Sequence, residues 1–323
     1  MGQLFLRGSL DIRLAGWAQM PTVISHCPNT LLGVNSNLMN KNTKNSSFTI
    51  GKVKVGSDQP LFLMAGPCVI ETQRLSLQIG KNLAGIASRL QIGIIFKASF
   101  DKANRSSVKS FRGPGLDRGL EILAAVRDET GLPVMTDVHD PGQAEAVAEK
   151  VDCLQIPAFL CRQTDLLAAC ARTGRPINVK KGQFLSPEEM TNVIEKIRSC
   201  GNDKILLTER GTFFGYNRLV NDMTAIPTMK ALGCPVVFDA THSTQMPGGL
   251  GHASSGRPEM APVLAKAAVA AGANGLFMEV HPHPAKAKSD AACVMPLAWL
   301  ESTIRVCQCI FDVIREGEHD GDC

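Results

Sequence analysis

The sequence contains no long apolar run and no block of like charges. No stretch approaches the roughly 18 apolar residues that a membrane-spanning helix needs. The formal net charge of the 323 residues is only +4. These two absences argue against a membrane and against nucleic acid as partners. Small anions, if bound, must be held by local clusters of Lys and Arg.

The 11 cysteines lack the spacing of a disulfide or metal framework. Their number is odd, and the only close pair, Cys307 and Cys309, has one residue between its members instead of the two of a zinc or redox motif. This pattern predicts a reducing compartment, the cytoplasm, in which most thiols behave as small buried hydrophobes.

Residues 1–45 lack clear periodicity and contain a single acidic residue, Asp11. Arg7 and Arg13 interrupt any apolar core of a secretory signal. The composition permits an organelle transit peptide, but we favour an N-terminal extension that is disordered or not translated, with Met39 as the start. A catalytic domain over residues 46–318 is expected to follow.

A regular alternation of strands and helices is predicted from residue 48 onward. Apolar residues at 48, 50, 53 and 55 alternate about Gly51, which predicts an N-terminal β-hairpin. Eight nearly continuous apolar runs then suit strands of a parallel sheet buried on both faces. These runs are Leu61–Ala65, Gly93–Lys97, Pro133–Asp137, Cys153–Ile156, Ile177–Lys180, Ile205–Thr208, Pro235–Asp239 and Gly275–Glu279.

Helical patterns separate these runs. An apolar face extends from Leu75 to Leu90, a capping box at 186–189 starts another helix, and the last helix is predicted over 297–314. Strand followed by helix, eight times, predicts an α/β protein with a (β/α)8 TIM barrel. A doubly wound open sheet would give similar alternation. Polar groups end every run, however, and they converge at one mouth only if the sheet closes.

Six cations lie on or just after the second, fifth and sixth strands. Lys and Arg are usually solvated, but behind a buried strand their desolvation is costly unless an anion compensates. The segment 97–107 alone offers two lysines, an arginine, an amide and hydroxyls, enough for two phosphates or a phosphate and a carboxylate. Lys181 could instead be an exposed neighbour, because successive strand residues face opposite ways. The cations are Lys97, Lys102, Arg105, Lys180, Lys181 and Arg210.

Four residues near strand ends have side chains that bind metals: Cys68, His242, Glu279 and Asp290. A thiolate, an imidazole and two carboxylates suit a borderline divalent ion such as Zn, Fe, Mn or Co. Each residue alone is weak evidence. Cys68 could be buried filler, Asp290 could cap a helix, and the histidines at 281 and 283 compete as ligands. The residues by themselves leave the metal site undecided.

Seven segments together resemble the 3-deoxy-manno-octulosonate-8-phosphate synthases, in order over about residues 48–315. They are AGPCVIE (65–71), KASFDKANRSS (97–107), QIPAFL (155–160), VKKGQF (179–184), TERG (208–211), DATHS (239–243) and MEVHPHP (278–284). The resemblance implies a (β/α)8 barrel, a homotetramer, and condensation of phosphoenolpyruvate with arabinose 5-phosphate on the route to lipopolysaccharide. Segments 248–258 and 289–296 depart from the expected forms.

The resemblance also implies roles for individual residues. Phosphoenolpyruvate would lie among Lys97, Ser99, Lys102, Gln155, Lys180 and Arg210. Arabinose 5-phosphate would be held by Asn104, Arg105 and Ser106, with Asp137 near its hydroxyls and Arg162 reaching into a neighbouring subunit. Lys102, His242 and Asp290 are expected to act in catalysis. Cys68, where metal-free members carry Asn, indicates the metal-dependent class, with His242, Glu279 and Asp290 as further ligands.

Three alternatives stay open at this point. The closest is 3-deoxy-arabino-heptulosonate-7-phosphate synthase, which uses erythrose 4-phosphate. A Schiff-base aldolase acting through Lys180 is a second, and a binding or regulatory protein on a barrel without activity is a third.

Overall fold

Eight parallel strands alternating with eight helices form a closed barrel. The computed structural model describes residues 47–105, 107–247 and 255–319. The barrel strands are β1 Phe62–Gly66, β2 Gly93–Lys97, β3 Val134–Asp137, β4 Cys153–Ile156, β5 Ile177–Lys180, β6 Ile205–Glu209, β7 Val236–Asp239 and β8 Gly275–His281. The helices are α1 Gln73–Leu90, α2 Leu116–Thr130, α3 Ala144–Lys150, α4 Thr164–Arg172, α5 Met190–Arg198, α6 Ala225–Lys230, α7 Ala261–Ala270 and α8 Leu297–His319.

Strand pairing closes the barrel. Each strand pairs with its sequence neighbours, and β8 pairs in parallel with both β7 and β1. The (β/α)8 prediction is therefore confirmed, and the open doubly wound sheet is wrong. All eight predicted apolar runs correspond to barrel strands within a residue or two at their ends.

The predicted hairpin closes the N-terminal end of the barrel. Its strands Phe48–Ile50 and Val53–Val55 pair antiparallel, and the turn residue Gly51 has a φ of 53°, a left-handed conformation that favours glycine. Ile50 and both valines pack against the apolar side chains inside the barrel. Val53 also lies against Gly93, the first residue of β2. The opposite, C-terminal mouth is therefore the end left for function.

Local sequence explains where the helices begin and end. Thr72 caps α1, its hydroxyl accepting from the backbone N–H of Leu75 at 3.2 Å. At α5 the regular helix begins at Met190, three residues after the predicted start, because the residues at 187–189 form i to i+3 turns first. One half of the predicted capping box is present, since Glu189 accepts from the N–H of Ser186 at 2.8 Å.

The structure also bears on the predictions for the last helix, the cysteines and a membrane span. Helix α8 continues to His319, five residues beyond the predicted end. Seven of the nine cysteines that the structure describes are buried, and none of the nine forms a disulfide. No helix within the described residues is long and apolar enough to cross a membrane. The predictions for residues 1–45, for Met39 and for Ser106 lie outside the described residues.

Candidate active site

A cavity of about 880 Å³ opens at the carboxyl ends of the barrel strands. Ten of the residues singled out in the sequence line it: Lys97, Lys102, Asn104, Arg105, Asp137, Gln155, Lys180, Arg210, His242 and Asp290. Three others, Cys68, Ser99 and Glu279, are buried beside these residues. Arg162 is exposed and is not among the residues that line the cavity.

Lys97, at the end of β2, lies between two carboxylates. Its Nζ atom is 3.2 Å from Glu279 Oε1 and 3.7 Å from Asp137 Oδ2, and it donates to Ser99 Oγ at 2.9 Å. Asp137 in turn accepts from Ser99 Oγ and from Gln155 Nε2. Burial alone would raise the pKa of Asp137, but the neighbouring cations, Lys97 foremost, hold that pKa well below its usual range. Asp137 is therefore a fixed anion beside Lys97.

Asp239, at the end of β7, orients two functional side chains. Its Oδ2 atom accepts from Lys180 Nζ at 2.6 Å and lies 2.7 Å from His242 Nδ1. His242 Nε2 is directed toward Glu279 Oε2, at 3.6 Å. Lys180 Nζ also lies 3.6 Å from the centre of the Phe277 ring, a cation–π contact, and burial lowers the pKa of this lysine. The sequence placed Asp239 at a strand end but gave it no role.

Arg210, just after β6, has donor capacity that the protein does not use. One guanidinium nitrogen donates to Gln245 Oε1 at 2.8 Å. The other, Nη1, is buried and has no hydrogen-bond partner among the residues that the structure describes. An unpaired buried donor costs free energy unless a ligand satisfies it. Burial also lowers the pKa of Arg210, which a bound anion would reverse.

Three of the four predicted metal ligands are brought together. One donor atom each from Cys68, Glu279 and Asp290 lie within 4.8 Å of one another. Cys68 Sγ is 2.9 Å from Asp290 Oδ2, and Glu279 Oε2 is buried with no hydrogen-bond partner in the described part of the chain. His242 lies outside the closest set, but its Nε2 atom faces that same Glu279 oxygen.

The chemistry of these donors fits a borderline divalent cation. Burial raises the pKa of the Cys68 thiol well above its usual value, and Asp290 and Glu279 raise it further. A cation would stabilise the thiolate and would satisfy the unpaired Glu279 oxygen. Asp290 has a φ of 48°, so the loop after β8 turns back through a left-handed conformation to bring this carboxylate to Cys68.

The loop after β2 forms one wall of the cavity. Arg105 Nε donates to the carbonyl of Phe111 at 3.1 Å, within the same loop, and Nη2 donates to the carbonyl of Lys288 at 3.0 Å, in the loop after β8. Asn104 is exposed on this wall. Burial alone would lower the pKa of Lys102, but nearby acidic groups raise it above its ordinary value. Lys102 therefore presents a stable positive charge to the cavity.

Lys181 is not the exposed neighbour of Lys180 that the sequence left open as an alternative. It is buried, its Nζ lies 3.5 Å from Glu209 Oε2, and it donates to the carbonyl of Leu185 at 3.0 Å. It does not line the cavity, so it belongs to the frame that holds the loops after β5 and β6. Of the competing ligands, His281 faces Glu71 at 3.7 Å and His283 is exposed.

Some polar residues that line the cavity were given no role from the sequence, among them His139, Gln183 and Gln245. His139 lies two positions after the end of β3, which was a usable signal. Its Nδ1 atom is buried without a partner in the described ranges, and burial lowers its pKa. Gln183 and Gln245 lie farther from strand ends, and their sequence context gives no comparable signal.

Comparison with known proteins shows the family to which the chain belongs. The model of the DAHP synthetase I family matches residues 36–314. A protein of Acidithiobacillus ferrooxidans named 2-dehydro-3-deoxyphosphooctonate aldolase is 55% identical over 265 residues, which cover 82% of this chain and 94% of that protein. Proteins of the same name from Syntrophotalea carbinolica and a Synechococcus species are 52% and 56% identical, covering 82% and 79% of this chain and 96% and 89% of their own lengths. The family indicated by the sequence motifs is confirmed: the chain belongs to the DAHP synthetase I family, among its 2-dehydro-3-deoxyphosphooctonate aldolases.

Proposed function

We propose that this chain condenses phosphoenolpyruvate with D-arabinose 5-phosphate and water, giving 3-deoxy-D-manno-octulosonate 8-phosphate and inorganic phosphate, a step toward lipopolysaccharide. The observation that carries the proposal is one cavity that is lined both by buried Lys97, Lys180 and Arg210 and by the wall bearing Asn104 and Arg105. The names of the relatives supply the same activity.

Two multiply charged substrates must be held within reacting distance of each other. Two like unit charges about 4 Å apart repel by roughly 4 kcal/mol at an effective dielectric constant near 20. The buried cations offset this repulsion, and the unpaired Nη1 atom of Arg210 is a ready donor to a carboxylate or phosphate oxygen. We assign phosphoenolpyruvate to Lys97, Ser99, Lys102, Gln155, Lys180 and Arg210, and the sugar phosphate to Asn104, Arg105 and Ser106.

The reaction joins C3 of phosphoenolpyruvate to the aldehyde carbon of the sugar. Cationic character develops at C2, water adds there, and the tetrahedral intermediate loses inorganic phosphate. The charged Lys102 ammonium stabilises negative charge as it develops on the aldehyde oxygen. The fixed Asp137 carboxylate accepts hydrogen bonds from the sugar hydroxyls. Asp239 holds the ring of His242 in one orientation.

Cys68, His242, Glu279 and Asp290 would hold the divalent ion, of the Zn, Fe, Mn or Co type. When bound, such an ion polarises an oxygen atom as a Lewis acid or orients a water molecule. The donor set supports the metal-dependent class, because Cys68 offers a soft ligand where metal-free members carry Asn.

We propose a homotetramer in the cytoplasm. The exposed Arg162 would reach the sugar phosphate of a neighbouring subunit. Phe159 lines the rim of the cavity and is 50% exposed, and Phe184 is exposed to a similar extent. A subunit interface would remove these two apolar side chains from water. The free thiols of the described residues agree with a reducing compartment.

The alternative activity with erythrose 4-phosphate is not favoured, since relatives at 52% to 57% identity are named 2-dehydro-3-deoxyphosphooctonate aldolase. The test is a phosphate-release assay with phosphoenolpyruvate and a panel of aldose phosphates, run with and without a chelator. We expect release that depends on arabinose 5-phosphate and is lost on chelation. Borohydride trapping of a covalent adduct with Lys180 would support a Schiff-base aldolase instead.

A further inference from the structure

A chain of buried hydrogen bonds crosses four adjacent barrel strands. Thr208, on β6, donates from Oγ1 to Asn178 Oδ1 at 2.6 Å. Asn178, on β5, donates from Nδ2 to Gln155 Oε1 at 3.1 Å. Gln155, on β4, donates from Nε2 to Asp137 Oδ1 on β3. All four side chains are buried, so each bond is made in a medium of low dielectric constant.

The two ends of this chain differ in their access to substrate. Gln155 and Asp137 line the cavity, whereas Asn178 and Thr208 do not. A Gln side chain has one acceptor oxygen and two donor hydrogens. The oxygen of Gln155 is engaged by Asn178, and one hydrogen by Asp137. The remaining N–H is the donor that Gln155 can offer to an anion in the cavity.

Asn178 makes this orientation of Gln155 the favourable one. Thr208 donates to the oxygen of Asn178, which leaves the nitrogen of Asn178 to face Gln155. Rotation of the Gln155 amide by half a turn would set two N–H groups against each other at Asn178. It would also set the Gln155 oxygen against the Asp137 carboxylate, whose other oxygen already accepts from Ser99. Both contacts are unfavourable without water to screen them.

We propose that Asn178, itself held by Thr208, is a positioning residue that fixes the amide of Gln155 with its free N–H toward phosphoenolpyruvate. The inference rests on the proposed function for the identity of the anion. Without such a role, a buried polar residue at this position of β5 would only lower the stability of the fold. A leucine would pack there without needing hydrogen-bond partners.

The test replaces Asn178 by residues that differ in hydrogen-bonding capacity. A carboxylate in Asn178→Asp only accepts, so Gln155 must turn its nitrogen toward position 178 and lose its N–H to the anion. We expect the KM for phosphoenolpyruvate to rise about tenfold, as for loss of one hydrogen bond to an ion. The KM for arabinose 5-phosphate should change much less. Asn178→Leu offers no competing acceptor, so Asp137 still orients Gln155, and the rise should stay within about threefold.

Asn202→Asp is the matched control, because Asn202 is also buried but precedes β6 at the opposite end of the barrel. Its side chain donates to the carbonyl of Arg175 at 2.9 Å and to that of Ala171. This variant should lower the melting temperature and leave the KM for phosphoenolpyruvate unchanged.

If Asn178→Asp does not fold, Thr208→Val carries the test. It releases Asn178 and should raise the KM for phosphoenolpyruvate by about threefold.

The outcomes separate the inference from the proposed function. A wild type that neither turns over nor binds phosphoenolpyruvate in calorimetry overturns the proposed function, and the inference falls with it. An active wild type overturns the inference alone if Asp and Leu at position 178 raise the KM equally, in step with their melting temperatures. Unchanged KM values in Asn178→Asp, or in Thr208→Val where that variant carries the test, overturn it as well.

Discussion

At the scale of single residues, the mouth of the barrel holds opposite charges that are buried together. Lys97 lies between Glu279 and Asp137, and Lys180 is paired with Asp239, while one donor of Arg210 has no partner among the described residues. Pairing lets these cations remain buried without substrate, because a buried ion without a partner is costly. That donor of Arg210 is one place where an incoming anion would gain a hydrogen bond.

The first prediction concerns Arg105, which we assign to the sugar phosphate. Arg105→Ala should lower kcat/KM for arabinose 5-phosphate by an amount equivalent to about 2–4 kcal/mol, as for loss of a charged partner. Arg105→Lys should recover only part of the lost kcat/KM, since a point charge cannot reproduce the guanidinium fork. Steady-state kinetics measures both.

Arg112→Ala is the control in the same loop. Arg112 is exposed and paired with Asp101. Arg112→Ala should therefore lower kcat/KM for arabinose 5-phosphate by an amount equivalent to less than about 1 kcal/mol. If Arg105→Ala performs like Arg112→Ala, then Arg105 only ties the loops together through the carbonyls of Phe111 and Lys288.

The second prediction concerns Cys68 as a metal ligand. Prolonged chelation should abolish activity, and Mn, Co, Zn or Fe should restore it to different extents. Cys68→Ser should weaken metal binding, measured by elemental analysis after dialysis, together with activity. Cys68→Asn should retain activity that a chelator does not remove, because it imitates the metal-free members. Full turnover by wild-type protein verified to be metal-free would show that Cys68 is only buried filler.

At the scale of elements, the two ends of the barrel have separate tasks. The hairpin Phe48–Ile50 and Val53–Val55 fills the N-terminal end with apolar side chains, and the loops after the strands carry the site at the other end. The buried pair of Lys181 and Glu209 ties two of those loops together. Stability and chemistry should therefore respond to different substitutions.

The third prediction follows from this separation. Ile50 is fully buried in the hairpin, so Ile50→Ala should lower the free energy of unfolding by about 2–4 kcal/mol through lost burial and a cavity. The kcat/KM of the folded variant should stay close to that of the wild type. Denaturant unfolding and kinetics on the same samples measure the two quantities. Thr49→Ala, at an exposed position of the same strand, should change neither. A large loss of kcat/KM in folded Ile50→Ala would show that the two ends are coupled.

At the scale of the whole molecule, the sequence predicted the order of the elements better than the contacts between them. Runs such as Gly93–Lys97 and Ile177–Lys180 match their strands, because strands buried on both faces are rich in apolar residues along their length. Barrel closure then brought most of the predicted residues to one mouth.

Contacts across long sequence separations could not be read in this way. The approach of Asp290 to Cys68 spans 222 positions and depends on a left-handed turn at an aspartate. The partner of Lys181, Glu209, and the link from Asn178 to Gln155 depend on which side chains face each other across neighbouring strands. Local patterns do not encode those pairings, so they required the structure.

The central claim concerns the sugar, and the most direct test compares kcat/KM for arabinose 5-phosphate and erythrose 4-phosphate with phosphoenolpyruvate saturating and metal present. The wall that carries Asn104 and Arg105 should be placed for the longer sugar, so its phosphate reaches the guanidinium while the aldehyde lies near Lys102. We predict that arabinose 5-phosphate supports turnover far better than erythrose 4-phosphate. Equal kcat/KM values for the two sugars, or a preference for erythrose 4-phosphate, would contradict the account.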